Sequence, residues 1–110
     1  MTQIKIFRDK DANIVKGELS GHTGYADLGE DIVCASVSSV LIMTLNGIER
    51  VLNVIFGAEE GDGYLLFVLP DDLDDNKRKE INILLDSMYL HLQMIADEYP
   101  DNVKITELEV

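Results

Sequence analysis

The distribution of apolar residues predicts an α+β domain in the order β-β-α-β-α-β, with helices packed on a mixed sheet. Three observations carry this. Apolar residues alternate with polar ones near the start of the chain. Two later stretches repeat at helical spacing, and between them lies a short continuous apolar run bounded by glycine and proline. With 110 residues, 46% of them hydrophobic, the chain suits a single domain over residues 1–110 with one core.

Ile4 and Ile6 alternate with Gln3 and Lys5, and Asp9 to Asn13 supplies turn residues before Ile14 to Leu19. This reads as a first hairpin. From Ile32 the period changes: Val33, Val37, Leu41, Ile48, Leu52 and Ile55 recur at the offsets of one buried helical stripe, and Gly57 is expected to close that helix. Gly61-Asp62-Gly63 is a turn, and Tyr64 to Leu69 is a covered strand ending at Pro70. A second amphipathic helix is expected over 76–98, with Ile81, Leu84, Leu85, Met88, Leu92 and Ile95 on one face. In Val103 to Val110 the apolar alternation slips once, which predicts a bulged last strand.

Charge and cysteine usage narrow the function. The net charge is −12, with 9 Lys and Arg against 21 acids, so a phosphate backbone is repelled and a basic protein partner attracted. Direct nucleic-acid binding is not expected. A lone cysteine excludes an internal disulfide framework, the start lacks the pattern of a signal peptide, and no run approaches the ~20 apolar residues of a membrane span; a cytoplasmic protein without membrane contact is expected. Asp71 to Asp75 lacks the spacing and glycine of a calcium loop, and no Cys or His cluster suggests zinc, so neither metal nor cofactor is expected.

The chemistry concentrates in SGHTGYADLGEDIVCASVSSV, residues 20–40. Gly21, Gly24 and Gly29 give this connection freedom to move. Asp31 precedes the helical period as a natural N-cap, which sets Cys34 in the first helical turn, where unpaired amides and the helix dipole favour a thiolate. His22 ends the second strand, 12 positions before Cys34; if strand end and helix start pack together, the two form a nucleophile and general acid–base pair. Asp31 would act either by capping the helix or by orienting His22. Ser38, one turn after Cys34, lies on the same face, as a hydrogen-bonding neighbour or a small packing residue. Spacing alone equally accommodates Cys34 as a small buried hydrophobe.

The segment GHTGYADLGEDIVCASVSSV resembles the signature of the ribosomal-processing cysteine proteases of bacteria. The resemblance implies that His22 and Cys34 are the catalytic pair and that Gly21, Asp31 and Ser38 support them. It further implies an endopeptidase that removes a short N-terminal extension from a large-subunit ribosomal protein, a homodimer, and a flexible loop from Gly21 to Gly29 that closes over substrate. Two positions depart from the pattern, Thr23 and Ser36, where the family usually carries alanine. The acidic surface suits a basic ribosomal substrate. Two other classes fit the residues: a noncatalytic acidic assembly factor that shields a basic ribosomal protein, and a cysteine hydrolase of small acyl compounds.

Overall fold

Alternation, helical period and turn chemistry build the elements in chain order. β1 (Thr2–Arg8) and β2 (Ile14–Ser20) form an antiparallel hairpin, followed by α1 (Leu28–Asn46), β3 (Gly57–Gly61), β4 (Tyr64–Val68), α2 (Asp75–Glu98) and β5 (Val103–Glu109). The computed structural model describes residues 1–21 and 28–110, with the backbone alone over 28–31. Residues 22–27 of the expected lid, His22 among them, lie outside the described residues.

The five strands run β3-β4-β2-β1-β5 across one sheet. All neighbours are antiparallel except β1 and β5, which run parallel, so the sheet is mixed as expected. In the β1–β2 turn, Oδ1 of Asp9 accepts the amides of Asp11 at 2.9 Å and Asn13 at 3.0 Å, an arrangement that substitutes for backbone pairing and lets Ala12 take φ 65°. Ile4, Ile6, Leu19, Leu65 and Phe67 point from the sheet into one contiguous core. There they meet Val33, Val37 and Leu41 of α1 and Ile81, Leu85, Met88 and Leu92 of α2. Each such buried side chain contributes about 1.5–3 kcal/mol of transfer free energy.

α2 starts where its N-cap dictates: the carboxylate of Asp74 accepts the amide of Lys77 at 2.7 Å. Its start is tied back to the chain after α1 by Lys77 Nζ, which donates to the Leu52 carbonyl at 2.8 Å.

Three local expectations are corrected. The first helix does not run on to Gly57. The stripe survives to Ile48, but over Gly47–Val51 the turn widens to a π-helical one, with the Leu52 amide donating to the Gly47 carbonyl at 3.0 Å. Asn53 then adopts φ 58°, a left-handed conformation that asparagine tolerates, and the chain reverses, leaving Ile55 89% exposed. Gly57 accordingly begins a fifth strand, β3, which the periodicity did not indicate.

The last strand carries no bulge against β1, since pairing is continuous from Thr2–Val103 to Arg8–Glu109. Its apolar pattern breaks because Glu107 takes a core-side position beside Arg8, whose Nε donates to it at 2.8 Å. The irregular register lies instead in the hairpin, between Phe7 and Arg8.

The chain also contains a longer apolar stretch than its reading suggests. Ile32–Val51 is 20 residues of mean hydropathy 1.6, long and apolar enough by composition to cross a membrane. Its face carrying Val33, Val37, Leu41, Leu45 and Ile48 is buried in the core, where a core helix puts its apolar side.

Candidate active site

A helix that buries Val33, Val37 and Leu41 must turn its neighbouring positions 34 and 38 toward one flank, because four residues make just over one turn. On that flank α1 faces the β3–β4 hairpin across a cleft of about 230 Å³. Cys34, Ala35, Ser38 and Ile42 form the helix wall, Leu19 at the end of β2 contributes beneath, and Glu60 and Leu65 belong to the hairpin wall. Cys34 is 6% exposed and unpaired in any disulfide. Its burial satisfies the bland expectation of a core cysteine, while its place in the cleft lining gives the sulfur an approach from solvent.

Ser38 also lines the cleft, half-buried, as its one-turn spacing from Cys34 predicts. Gly21 stands at the exit from β2 with φ +100°, and a Cβ there would fall 2.2 Å from the Met1 carbonyl oxygen. Only glycine fits that backbone and that contact. Gly21 thus fixes the direction in which the chain leaves the strand beside Tyr64, with which Ser20 pairs.

Asp31 is not the N-cap. α1 begins at Leu28, so Asp31 is its fourth residue and Cys34 its seventh, in the second turn rather than the first. Direct contact with the unpaired amides of the helix start is confined to the first turn. The argument for thiolate stabilisation by the dipole weakens correspondingly. The expected His22–Cys34 contact falls outside the described residues.

Of the hairpin wall, β4 and the turn before it were expected, but β3 was not legible from the sequence. β3 reads GAEEG, without an apolar residue larger than alanine, so no alternation marks it as a strand. Pairing sets its side chains: Glu60 opposes Leu65 and shares its cleft side, whereas Glu59 opposes Leu66 on the other. Burial, with Glu18 and Glu59 nearby, pushes the Tyr64 phenol above its ordinary value. Among the described residues, no group of three or more His, Cys, Asp and Glu converges as metal ligands do. His91 is exposed on α2, away from the cleft lining.

A cysteine in the wall of a cleft has the position a nucleophile needs, and comparison with known proteins decides the class. The family model described as Cysteine protease Prp matches residues 1–104. The chain belongs to the Prp family of cysteine proteases. It is 34% identical over 112 residues to the ribosomal processing cysteine protease Prp of Bacillus subtilis, an alignment covering 96% of each chain. Among solved structures it resembles the crystal structure of SMU.848 from Streptococcus mutans, with a TM-score of 0.83 and 28% identity, over all of this chain and 96% of that one. It also resembles the ribosomal processing protease Prp of Staphylococcus aureus bearing a covalently linked product peptide. There the TM-score is 0.82 and the identity 26%, over 97% of this chain and 99% of that one. The Prp assignment makes the protein an enzyme, and the noncatalytic reading is set aside.

Proposed function

We propose that this Prp protease removes a short N-terminal extension from a basic large-subunit ribosomal protein, using Cys34 as nucleophile and His22 as general acid and base. The observation that carries the reading is the position of Cys34: a buried sulfur in the wall of a cleft lined by helix and hairpin. The Cys34 thiolate attacks the scissile carbonyl carbon, the C–N bond breaks, and the imidazolium of His22 gives its proton to the leaving amine. Water, deprotonated by the same imidazole, then attacks the thioester, the C–S bond breaks, and the carboxyl product leaves the thiolate and imidazolium restored. The covalently linked peptide held by the Staphylococcus aureus relative supports a covalent route. Asp31 and Ser38 support the pair, and Gly21 directs the chain that carries His22.

The net charge of −12 supports a basic substrate, and a cytoplasmic location belongs to the same proposal. A homodimer belongs to the same proposal. Ile83, Leu90 and Met94 are exposed along one side of α2, and an antiparallel pairing of two such helices sets Lys79 of one against Asp97 and Glu98 of the other. Sedimentation of the purified chain at micromolar concentration checks the dimer.

The deciding experiment incubates the protein with the basic ribosomal proteins of its organism and looks by mass for one discrete truncation. Loss of that product in Cys34→Ala and in His22→Ala is expected. A product that persists in Cys34→Ala overturns the reading.

A further inference from the structure

The connection from α1 to β3 joins the two walls of the cleft, and a residue of the other helix holds it. α1 presses its end against α2 at Gly47, where a Cβ would meet Cδ1 of Leu84 at 3.1 Å. The π-helical turn Gly47–Val51 follows, a kind of turn frequent at functional sites. Asn53 then reverses the chain at φ 58°, the Val54 amide donates back to the Ile48 carbonyl at 3.0 Å, and β3 begins at Gly57. Lys77 of α2 reaches into this reversal, its Nζ donating to the Leu52 carbonyl at 2.8 Å.

Lys77 stands where its own helix disfavours it. It is the third residue of α2, in the first turn, where the positive end of the helix dipole favours carboxylates and opposes cations; Asp74 and Asp75 beside it follow that rule. The cost is offset at the other helix. Carbonyls at a helix end lack partners within the helix and carry the negative end of its dipole, so an ammonium is favoured at the Leu52 carbonyl. Lys77, Ile81 and Leu84 follow one another at i, i+4 and i+7, which turns one face of α2 toward the end of α1. Glu80, 3.7 Å from Nζ and 48% exposed, is the weaker partner.

We infer that Lys77 is a positioning residue for peptide cleavage: by holding the Leu52 carbonyl it fixes where the chain leaves α1, and so where β3 stands as the outer wall of the cleft. The inference rests on the proposed role of Cys34, because it concerns the wall that faces that sulfur. β3 depends on this point more than the other strands do, since all five of its residues are exposed and it is hydrogen-bonded to β4 alone. A strand without core burial takes its place from its pairing and from the chain that feeds it. A residue that breaks a local rule, remote from the chemistry and satisfied at this contact, is retained for the geometry it imposes.

The test separates position from stability. Amide hydrogen exchange, and kinetics on the ribosomal protein that the truncation assay identifies, are compared for the parent, Lys77→Met, Lys77→Arg and Glu107→Gln. Methionine keeps an unbranched apolar stem and loses the donor, whereas Glu107→Gln removes a charged partner at the opposite edge of the sheet. In Lys77→Met the paired amides of β3 should exchange about tenfold faster or more, with those of β1 and β2 within about twofold of the parent. KM should rise about fivefold or more while kcat stays within about twofold. Lys77→Arg, which still donates, should restore both, and Glu107→Gln should change neither.

Unchanged exchange in β3, equal acceleration across all strands, or an unchanged KM overturns the inference. A faster β3 and a raised KM beside cleavage that persists in Cys34→Ala would overturn the role of Cys34 and leave that of Lys77 standing. Where no ribosomal protein is truncated the proposed function falls, and exchange, which needs no turnover, decides alone whether Lys77 holds β3.

Discussion

Gly17 lies directly beneath Phe67: a Cβ at position 17 would fall 2.3 Å from Cε1 of the ring. The two residues are cross-strand partners of β2 and β4, and the ring is 1% exposed at the heart of the sheet. Gly17→Ala should therefore destabilise the protein by about 1–3 kcal/mol through overpacking, lowering the melting temperature by several degrees. Phe67→Leu in the same chain should recover part of the loss, a non-additivity that identifies the contact. A Gly17→Ala variant as stable as its parent would show that the ring moves aside freely.

Ser38 should tolerate shortening and resist enlargement. As a half-buried residue in the cleft wall one turn from Cys34, it should yield a folded Ser38→Ala variant with activity within about tenfold of the parent, since a single neutral hydrogen bond contributes about 0.5–1.5 kcal/mol. Ser38→Leu should fill the cleft and raise KM far more than it lowers kcat. Peptide kinetics on the two variants check this, and an unimpaired Ser38→Leu would place the substrate elsewhere.

Asp31, as the fourth residue of α1, has no cap to lose. Asp31→Ala and Asp31→Asn should melt within about 1 kcal/mol of the parent, the range of a charge near a helix start, and both should lose turnover if its charge orients His22. An active Asp31→Asn beside an inactive Asp31→Ala would assign the role to hydrogen bonding.

Acid should weaken the seam between β1, β5 and α2. The hydrogen bond from Arg8 holds the Glu107 carboxyl below its ordinary value of 4.5, against burial and with help from Tyr89. Arg8 also lies 5.0 Å over the Tyr89 ring. A carboxyl with a depressed folded value stabilises fully above its unfolded value, and that stability is lost as pH falls through the folded one. The side chain is 48% exposed, so the effect is at most about 1 kcal/mol. Urea melts of the parent and Glu107→Gln should converge on going from pH 6 to pH 3. A constant gap would remove the ion pair from the account.

The elements legible in the sequence are those whose burial imposes a period. α2 repeats Ile81, Leu85, Met88, Leu92 and Ile95 over an uninterrupted core and ends within one residue of its expected bounds. The hairpin of β1 and β2 was equally plain, with Ile4 and Ile6 facing in. β3 was invisible because an edge strand that buries nothing needs no apolar residue. The end of α1 was misjudged because Leu52 and Ile55 continue the helical spacing after the backbone has left the helix.

Spacing along α1 was enough to put Cys34 and Ser38 on one flank, where both line the cleft, whereas the roles expected of them and of Gly21 came from the resemblance of the motif. Glu60 was not legible, because only cross-strand pairing with Leu65 turns it toward the cleft.

The parallel pairing of β1 with β5 joins Thr2 to Val103 across nearly the whole chain. Such a long closure is slow relative to the local hairpin, and it cannot occur on a ribosome until residue 103 has emerged. Until then β1 presents an open edge and Val103 is missing from the core. A nascent copy of this protease should thus remain unfinished, and unable to cut the proteins being made around it, until β5 has emerged and paired with β1.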